Sequence, residues 1–120
     1  MKPLTPTALK KLLKRFDSFK GNEICSLTII SPLEIELELT AQDSARAFDW
    51  VKVRFLFQGV SDARLVDASK LAYLESSEGV CITYAENAYY FCLGSYTPAS
   101  YRDAQLYIVA QSIKYDESSF

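Results

Sequence analysis

The chain has 120 residues, is 49% hydrophobic and 23% charged, and carries a formal net charge of −2. That length supports one domain with a real apolar core, and no apolar run approaches the ~18 residues needed to span a bilayer. Histidine is absent, which excludes Ser-His-Asp and Cys-His catalytic arrangements and the usual Cys/His zinc patterns.

The first residues, Met1-Lys2-Pro3-Leu4, contain no apolar signal core and no small-residue cleavage site, so cytoplasmic residence is expected. Thr5 suits a helix N-cap and Pro6 the first helical position, where its missing N–H costs nothing. Leu9, Leu12, Leu13 and Phe16 recur at helical spacing, with Phe19 near the end, while Lys10, Lys11, Lys14 and Arg15 fall largely on the opposite face. The pattern predicts an amphipathic helix over residues 6–19 that packs its Leu/Phe stripe on a sheet and ends at Gly21 or Asn22. Residues 1–20 carry a net charge of +5 and the remainder −7. A basic segment docked on an acidic body accounts for that division; a basic handle for nucleic acid or an anionic membrane is the sharper alternative. The overall acidity argues against nucleic acid as the main partner, because phosphate binding needs a broad basic face.

Everything after the helix reads as strands. Ile24 to Ile30 is rich in β-formers, and Ser31-Pro32 interrupts it. Leu33-Glu34-Ile35-Glu36-Leu37-Glu38-Leu39 then alternates without a break, as the second arm of a hairpin or after a bulge. A strand places successive side chains on opposite faces. Leu33, Ile35, Leu37 and Leu39 should therefore line a core, with Glu34, Glu36 and Glu38 in a row on the other side. Residues 41–49 read as a polar loop. Trp50 to Phe57 alternates again, with Val51, Val53, Phe55 and Phe57 on the core face and Trp50, Lys52, Arg54 and Leu56 on the other, until Gly59 breaks it. Residues 60–68 are irregular, and 70–74 form a short strand or a helical turn. Val80–Tyr84 and Ala88–Leu93 form a hairpin around Glu86-Asn87, which sets Cys81 opposite Cys92. A loop follows over 96–100. Residues 105–115 form a last strand with both faces partly covered, hence central, and 116–120 a frayed tail. The expected architecture is a single α+β domain over 1–120, with a helical segment (1–22) and a β-rich body (23–117). Its N-terminal helix lies on one face of a bent, mostly antiparallel sheet of about six strands.

Two groups of side chains are candidates for contact with a partner. Glu34, Glu36 and Glu38 either pair with Lys52 and Arg54 across the strands, at about 0.2–1 kcal/mol per pair, or remain a partner-facing acidic patch. As a catalytic pair they would lack the desolvation that raises an acid's pKa. Tyr84, Glu86, Tyr89 and Tyr90 crowd the hairpin turn; tyrosine is both a good strand residue and a frequent interface anchor. Stacking on single-stranded nucleic acid is opposed by the acidic residues nearby. Cys25, Cys81 and Cys92 form no C-x-x-C pair and are expected as reduced, mostly buried thiols, with a Cys81–Cys92 bridge as the geometric alternative. The four glycines are isolated, so no phosphate-cradling loop is present. No cofactor or metal is expected, and nothing rises to an enzyme motif.

The stretch Trp50 to Arg64, a strand ending in an aromatic followed by Val60-Ser61-Asp62-Ala63-Arg64, and the closing Ile113-Lys114-Tyr115-Asp116-Glu117 are short motifs with a likeness. The likeness spans about residues 24–117 and resembles small bacterial proteins, many of them immunity proteins of polymorphic toxin and contact-dependent inhibition systems. The resemblance implies a small cytoplasmic α+β protein that binds one cognate toxin domain and blocks it, without catalysis. It transfers no binding residue. An acidic binding protein complements the basic surface a nuclease toxin needs for phosphates. The rival expectation is a small adaptor or assembly factor that self-associates through its sheet edge.

Overall fold

The computed structural model describes residues 1–74 and 77–119. Its strands are β1 (Lys2–Pro3), β2 (Ile24–Ser31), β3 (Glu34–Asp43), β4 (Asp49–Arg64), β5 (Val80–Ala85), β6 (Ala88–Leu93) and β7 (Tyr107–Ser119), with one helix, α1 (Leu9–Arg15). All pairings are antiparallel, in the order β2-β3-β4-β7-β6-β5. β7 pairs with β4 on one side; on the other it meets β6 through Tyr107–Ala110 and β1 at Lys114 and Tyr115. The last strand is thus central, as its two covered faces imply, and the sheet has seven strands rather than six.

The strict alternation of β3 and β4 does what period-2 patterning demands. Ile35, Leu37, Leu39, Val51, Val53, Phe55 and Phe57 are all buried in one cluster with Leu9, Leu12 and Phe16 of the helix. Leu33 is the exception: it sits on the β2–β3 turn at 59% exposure, because the turn leaves it before the pairing starts at Glu34.

The helix is shorter than its hydrophobic spacing predicts. Thr5 to Ala8 form a turn, with Ala8 N–H donating to Thr5 O at 3.0 Å, and Thr5 does not cap the helix, whose N-cap is Ala8 with no side-chain bond. The other end stops at Arg15, before Gly21 or Asn22, since Asp17, Ser18 and Phe19 take left-handed φ angles of 52°, 53° and 58°. Such angles cost roughly 1–2 kcal/mol per residue. They are offset by what the kink buries: Phe19 swings under the sheet, stacking on Phe16 at 5.1 Å and meeting Phe55 edge-on at 5.8 Å, and each buried ring contributes about 1.5–3 kcal/mol. Leu13 is only half-buried at the cluster's margin, whereas Leu12 is 5% exposed. Leu12→Asp should therefore destabilise the protein by about 3 kcal/mol or more and Leu13→Asp by clearly less. Urea unfolding of the two variants checks the order; the reverse would place the helix in another rotation.

Three further expectations give way to longer strands. The polar loop over 41–49 is half strand: β3 runs on to Asp43, burying Ala41 and Asp43, before a short 3-10 turn over Ser44–Arg46. Gly59 does not end β4 but bends it; the strand continues to Arg64 with a bulge between Val60 and Asp62. Over residues 116–119 the tail expected to fray is the end of β7, where Asp116 and Glu117 pair with Arg54 and Val53; residue 120 of that expected tail lies outside the described residues. Residues 70–73 belong to a 3-10 helix over Ala68–Tyr73, and Leu74 leaves it with extended backbone.

Candidate binding surface

One face of the sheet carries the helix and the main core. At the β3–β4–β7 end the opposite face is open, and Glu34, Glu36 and Glu38 stand on it. Glu38 lies 3.8 Å from Lys52 Nζ and Glu36 3.8 Å from Arg54 Nη1. Arg54 donates two further hydrogen bonds to Asp116, at 3.3 and 2.9 Å. Glu34 accepts from Ser31 Oγ at 3.3 Å and from Gln58 Nε2 at 3.2 Å. The row is thus threaded by cross-strand partners, which orient the carboxylates and contribute at most about 1 kcal/mol each at such exposure. Trp50, opposite Gln42 on the same face, is 47% exposed, and Leu56, opposite Glu36, is half-buried. The sequence pattern already put Trp50 and Leu56 on the face of the glutamates. As candidates for contact they escape a reading that follows the alternation of charge alone.

The tyrosine group divides. Glu86 and Asn87 have φ angles of 52° and 63°, the two-residue hairpin geometry expected of that turn. Tyr84 is 41% exposed and lies on Tyr89 with ring centroids 4.8 Å apart. Tyr89, expected as a contact anchor, is a core residue: it is 5% exposed and its hydroxyl donates to Leu4 O at 2.7 Å. Burial, and then the nearby Tyr84, push its pKa up. A tyrosine facing the core and tying down the N-terminal strand cannot anchor a partner. Tyr90 faces the other way and packs on Tyr101 at 5.1 Å. β3 and β6 are separated by β4 and β7, so at the usual strand spacing the glutamate row stands about 14 Å from Tyr89 and Tyr90 and about 19 Å from Tyr84 on β5. They are two surfaces, not one.

The motifs that carry the family likeness turn out to fasten the fold. Asp62 accepts from Tyr101 Oη at 2.9 Å, Tyr107 Oη at 3.5 Å and Arg102 Nε at 3.5 Å, and Arg64 Nη1 donates to Ala104 O at 3.0 Å. Together they clamp the 95–106 segment over a second apolar cluster of Cys92, Ala104, Tyr107 and Val109. In the closing motif Asp116 pairs with Arg54, and Glu117 meets Arg15 at 2.8 Å. Arg15 also grips the fully buried Asp43 through bonds of 2.8 and 2.6 Å, and Ser44 Oγ donates to Arg15 O at 2.8 Å. The basic segment is docked on the acidic body, with Arg15 supplying ion pairs to Asp43 and Glu117 beside the buried apolar stripe.

Of the three thiols only Cys25 departs from the expected burial. Cys25 is exposed, beside the bulge between Ile24 and Ser26 on β2, an edge strand. Cys81 is half-buried, Cys92 buried, and the two are directly opposite. Among the described residues no group of three or more His, Cys, Asp and Glu could hold a metal ion, and no helix is long and apolar enough to cross a membrane. Compared with known protein families, curated proteins and solved structures, the chain matches none.

Proposed function

We propose that this protein is a non-enzymatic binding protein of the bacterial cytoplasm that neutralises a cognate toxin domain by direct contact. The observation that carries the reading is the open sheet face on which Glu34, Glu36 and Glu38 are held in a row beside an exposed Trp50. Ordered carboxylates steer a basic partner into place, and a tryptophan of that exposure supplies the desolvated anchor that interfaces concentrate their energy on. Phosphate-engaging toxins present such a basic surface. Tyr84 and Glu86 at the hairpin turn form a separate, smaller surface that extends the contact only if the partner wraps the sheet.

The test is co-expression with the toxin domain encoded beside this gene, scored by growth and by binding kinetics. Reversing Glu34, Glu36 and Glu38 to Lys should slow association by roughly ten-fold or more at low salt, with the difference shrinking as salt rises. Trp50→Ala should instead speed dissociation, weakening affinity about thirty-fold for a loss of about 2 kcal/mol. A wild-type protein that neither binds nor protects ends the immunity reading. Full protection by all these variants leaves the function standing and moves the site elsewhere.

A second reading, an adaptor that self-associates, has its own support. β2 is an edge strand without a single charged residue, and Ile29 and Ile30 on it are 66% and 51% exposed. Uncharged edges invite strand pairing. Sedimentation separates the two readings: a stable dimer broken by Ile29→Lys, with no toxin binding, favours the adaptor.

A further inference from the structure

We propose that Cys81 and Cys92 form a reversible dithiol–disulfide site on the β5–β6 hairpin, closed by hydroperoxides and reopened by small thiols. Three independent features converge on it. The first is register: the two residues face each other across β5 and β6. Counting from the Glu86-Asn87 turn, and from the bond of Gly94 N–H to Gly79 O at 2.8 Å, they occupy a hydrogen-bonded pair position, where Cα atoms lie about 5.5 Å apart, within the span a disulfide bridges. The second is placement. β5 is an edge strand, paired on one side only, so it can shift the small distance that brings the Cβ atoms into bridging range. A bridge drawn from that position is strained and correspondingly easy to reduce.

The third is the environment of the two sulfurs. Tyr96 N–H donates to Cys81 Sγ at 3.4 Å, and the Cys81 thiol donates in turn to Tyr96 O at 3.3 Å. The facing Cys92 thiol, and then the Tyr96 amide, lower the Cys81 pKa, while Cys81 opposite it and burial raise that of Cys92. Cys81, half-buried where Cys92 is buried, is the sulfur a peroxide reaches first; that makes it the nucleophile and Cys92 the resolving thiol, the division of labour a peroxide-sensing pair requires. Cys25 offers the contrast: it is more exposed, yet burial of its sulfur and the charge of Glu38 raise its pKa.

The chemistry balances without a further reagent. The Cys81 thiolate attacks one peroxide oxygen; the S–O bond forms, the O–O bond breaks, and the departing hydroxide takes a proton to become water. Cys81 is then a sulfenic acid, oxidised by two electrons. Cys92 sulfur attacks it, the S–S bond forms, the S–O bond breaks, and the leaving hydroxide takes the Cys92 proton as a second water. Small thiols reverse the bridge by two exchanges.

The experiment treats the full chain with hydrogen peroxide and maps its peptides without reduction. The expected result is an intact mass lower by two hydrogens, a Cys81–Cys92 linked peptide, one remaining free thiol at Cys25, and full reversal by dithiothreitol. Brief alkylation of untreated protein should mark Cys81 ahead of the more exposed Cys25. Cys92→Ala should leave Cys81 trapped as a sulfenic acid that a dimedone probe labels. The proposal is overturned if oxidation proceeds to sulfinic acid at Cys81 with no bridge, if disulfides form only between chains through Cys25, or if Cys25 alkylates first. The wild-type map decides even if the variant fails to fold.

Discussion

Gly79→Ala should destabilise this protein by about 3–5 kcal/mol, lowering its melting temperature by roughly 10–20 °C. Gly79 has a φ of +75°, and a Cβ built there would stand 2.0 Å from the carbonyl oxygen of Ser18 and 2.9 Å from the amide of Lys20. Both are backbone atoms of the kink that turns Phe19 into the core, so neither can swing aside as a side chain would. The matched control is Gly21→Ala: its φ is +69°, but nothing lies within 4 Å of the added methyl. It should cost only the backbone term, about 1–2 kcal/mol. Equal losses in the two variants would show that conformational strain alone, and not the approach of the kink to the start of β5, sets the requirement for glycine.

Asp43→Ala should cost about 3 kcal/mol or more, because it removes both charge-assisted bonds from Arg15, which keeps only Glu117. Asp43's side chain is 0% exposed, and the same carboxylate accepts from Ala45 N–H at 2.9 Å to cap the following turn. Removing one partner of a buried pair is far worse than removing a surface one, so Arg54→Met, which breaks pairs on the open face, should cost less than about 1 kcal/mol. The Arg15 guanidinium, and secondarily the Ala45 amide, hold the Asp43 pKa below its ordinary 3.8. The folded state therefore binds that proton less readily than the unfolded chain. The stability this supplies is complete above the ordinary carboxylate range and is lost as pH falls through the depressed folded value. Wild-type stability should drop steeply below about pH 4, and Asp43→Asn should flatten that part of the profile. Superimposable acid limbs in a urea titration series would dismiss Asp43 as the group responsible.

Asp62, Arg64, Asp116 and Glu117 stood out as a pattern with a likeness, and in the fold they hold loops and strand ends in place. The glutamate row, by contrast, is visible as pure alternation, and the structure leaves it on an open face. Tyr89 shows the opposite case. Tyr90 differs from it in strand parity, and Tyr84, its partner across the hairpin, only in lying on the edge strand; no local signal marks Tyr89 as the residue that the N-terminal strand will seal.

What the chain's own pattern determined was local: the period-2 alternation of β3 and β4, the two-residue turn at Glu86-Asn87 with Cys81 opposite Cys92, the apolar stripe of α1, and the central place of the last strand. Each of these rests on neighbours a few residues apart, or on burial that both faces of a segment record directly. The length of β4 beyond Gly59, the strand at residues 116–119, the early end of the helix at Arg15 and the burial of Asp43 were decided only by tertiary structure. Each depends on partners far away in sequence. Arg15 meets Asp43 and Glu117, Gly79 admits the kink at Ser18, and β7 supplies the ladder that carries β4 past its bulge. Local preference sets where an element can form; the contacts that form once the sheet closes set where it stops.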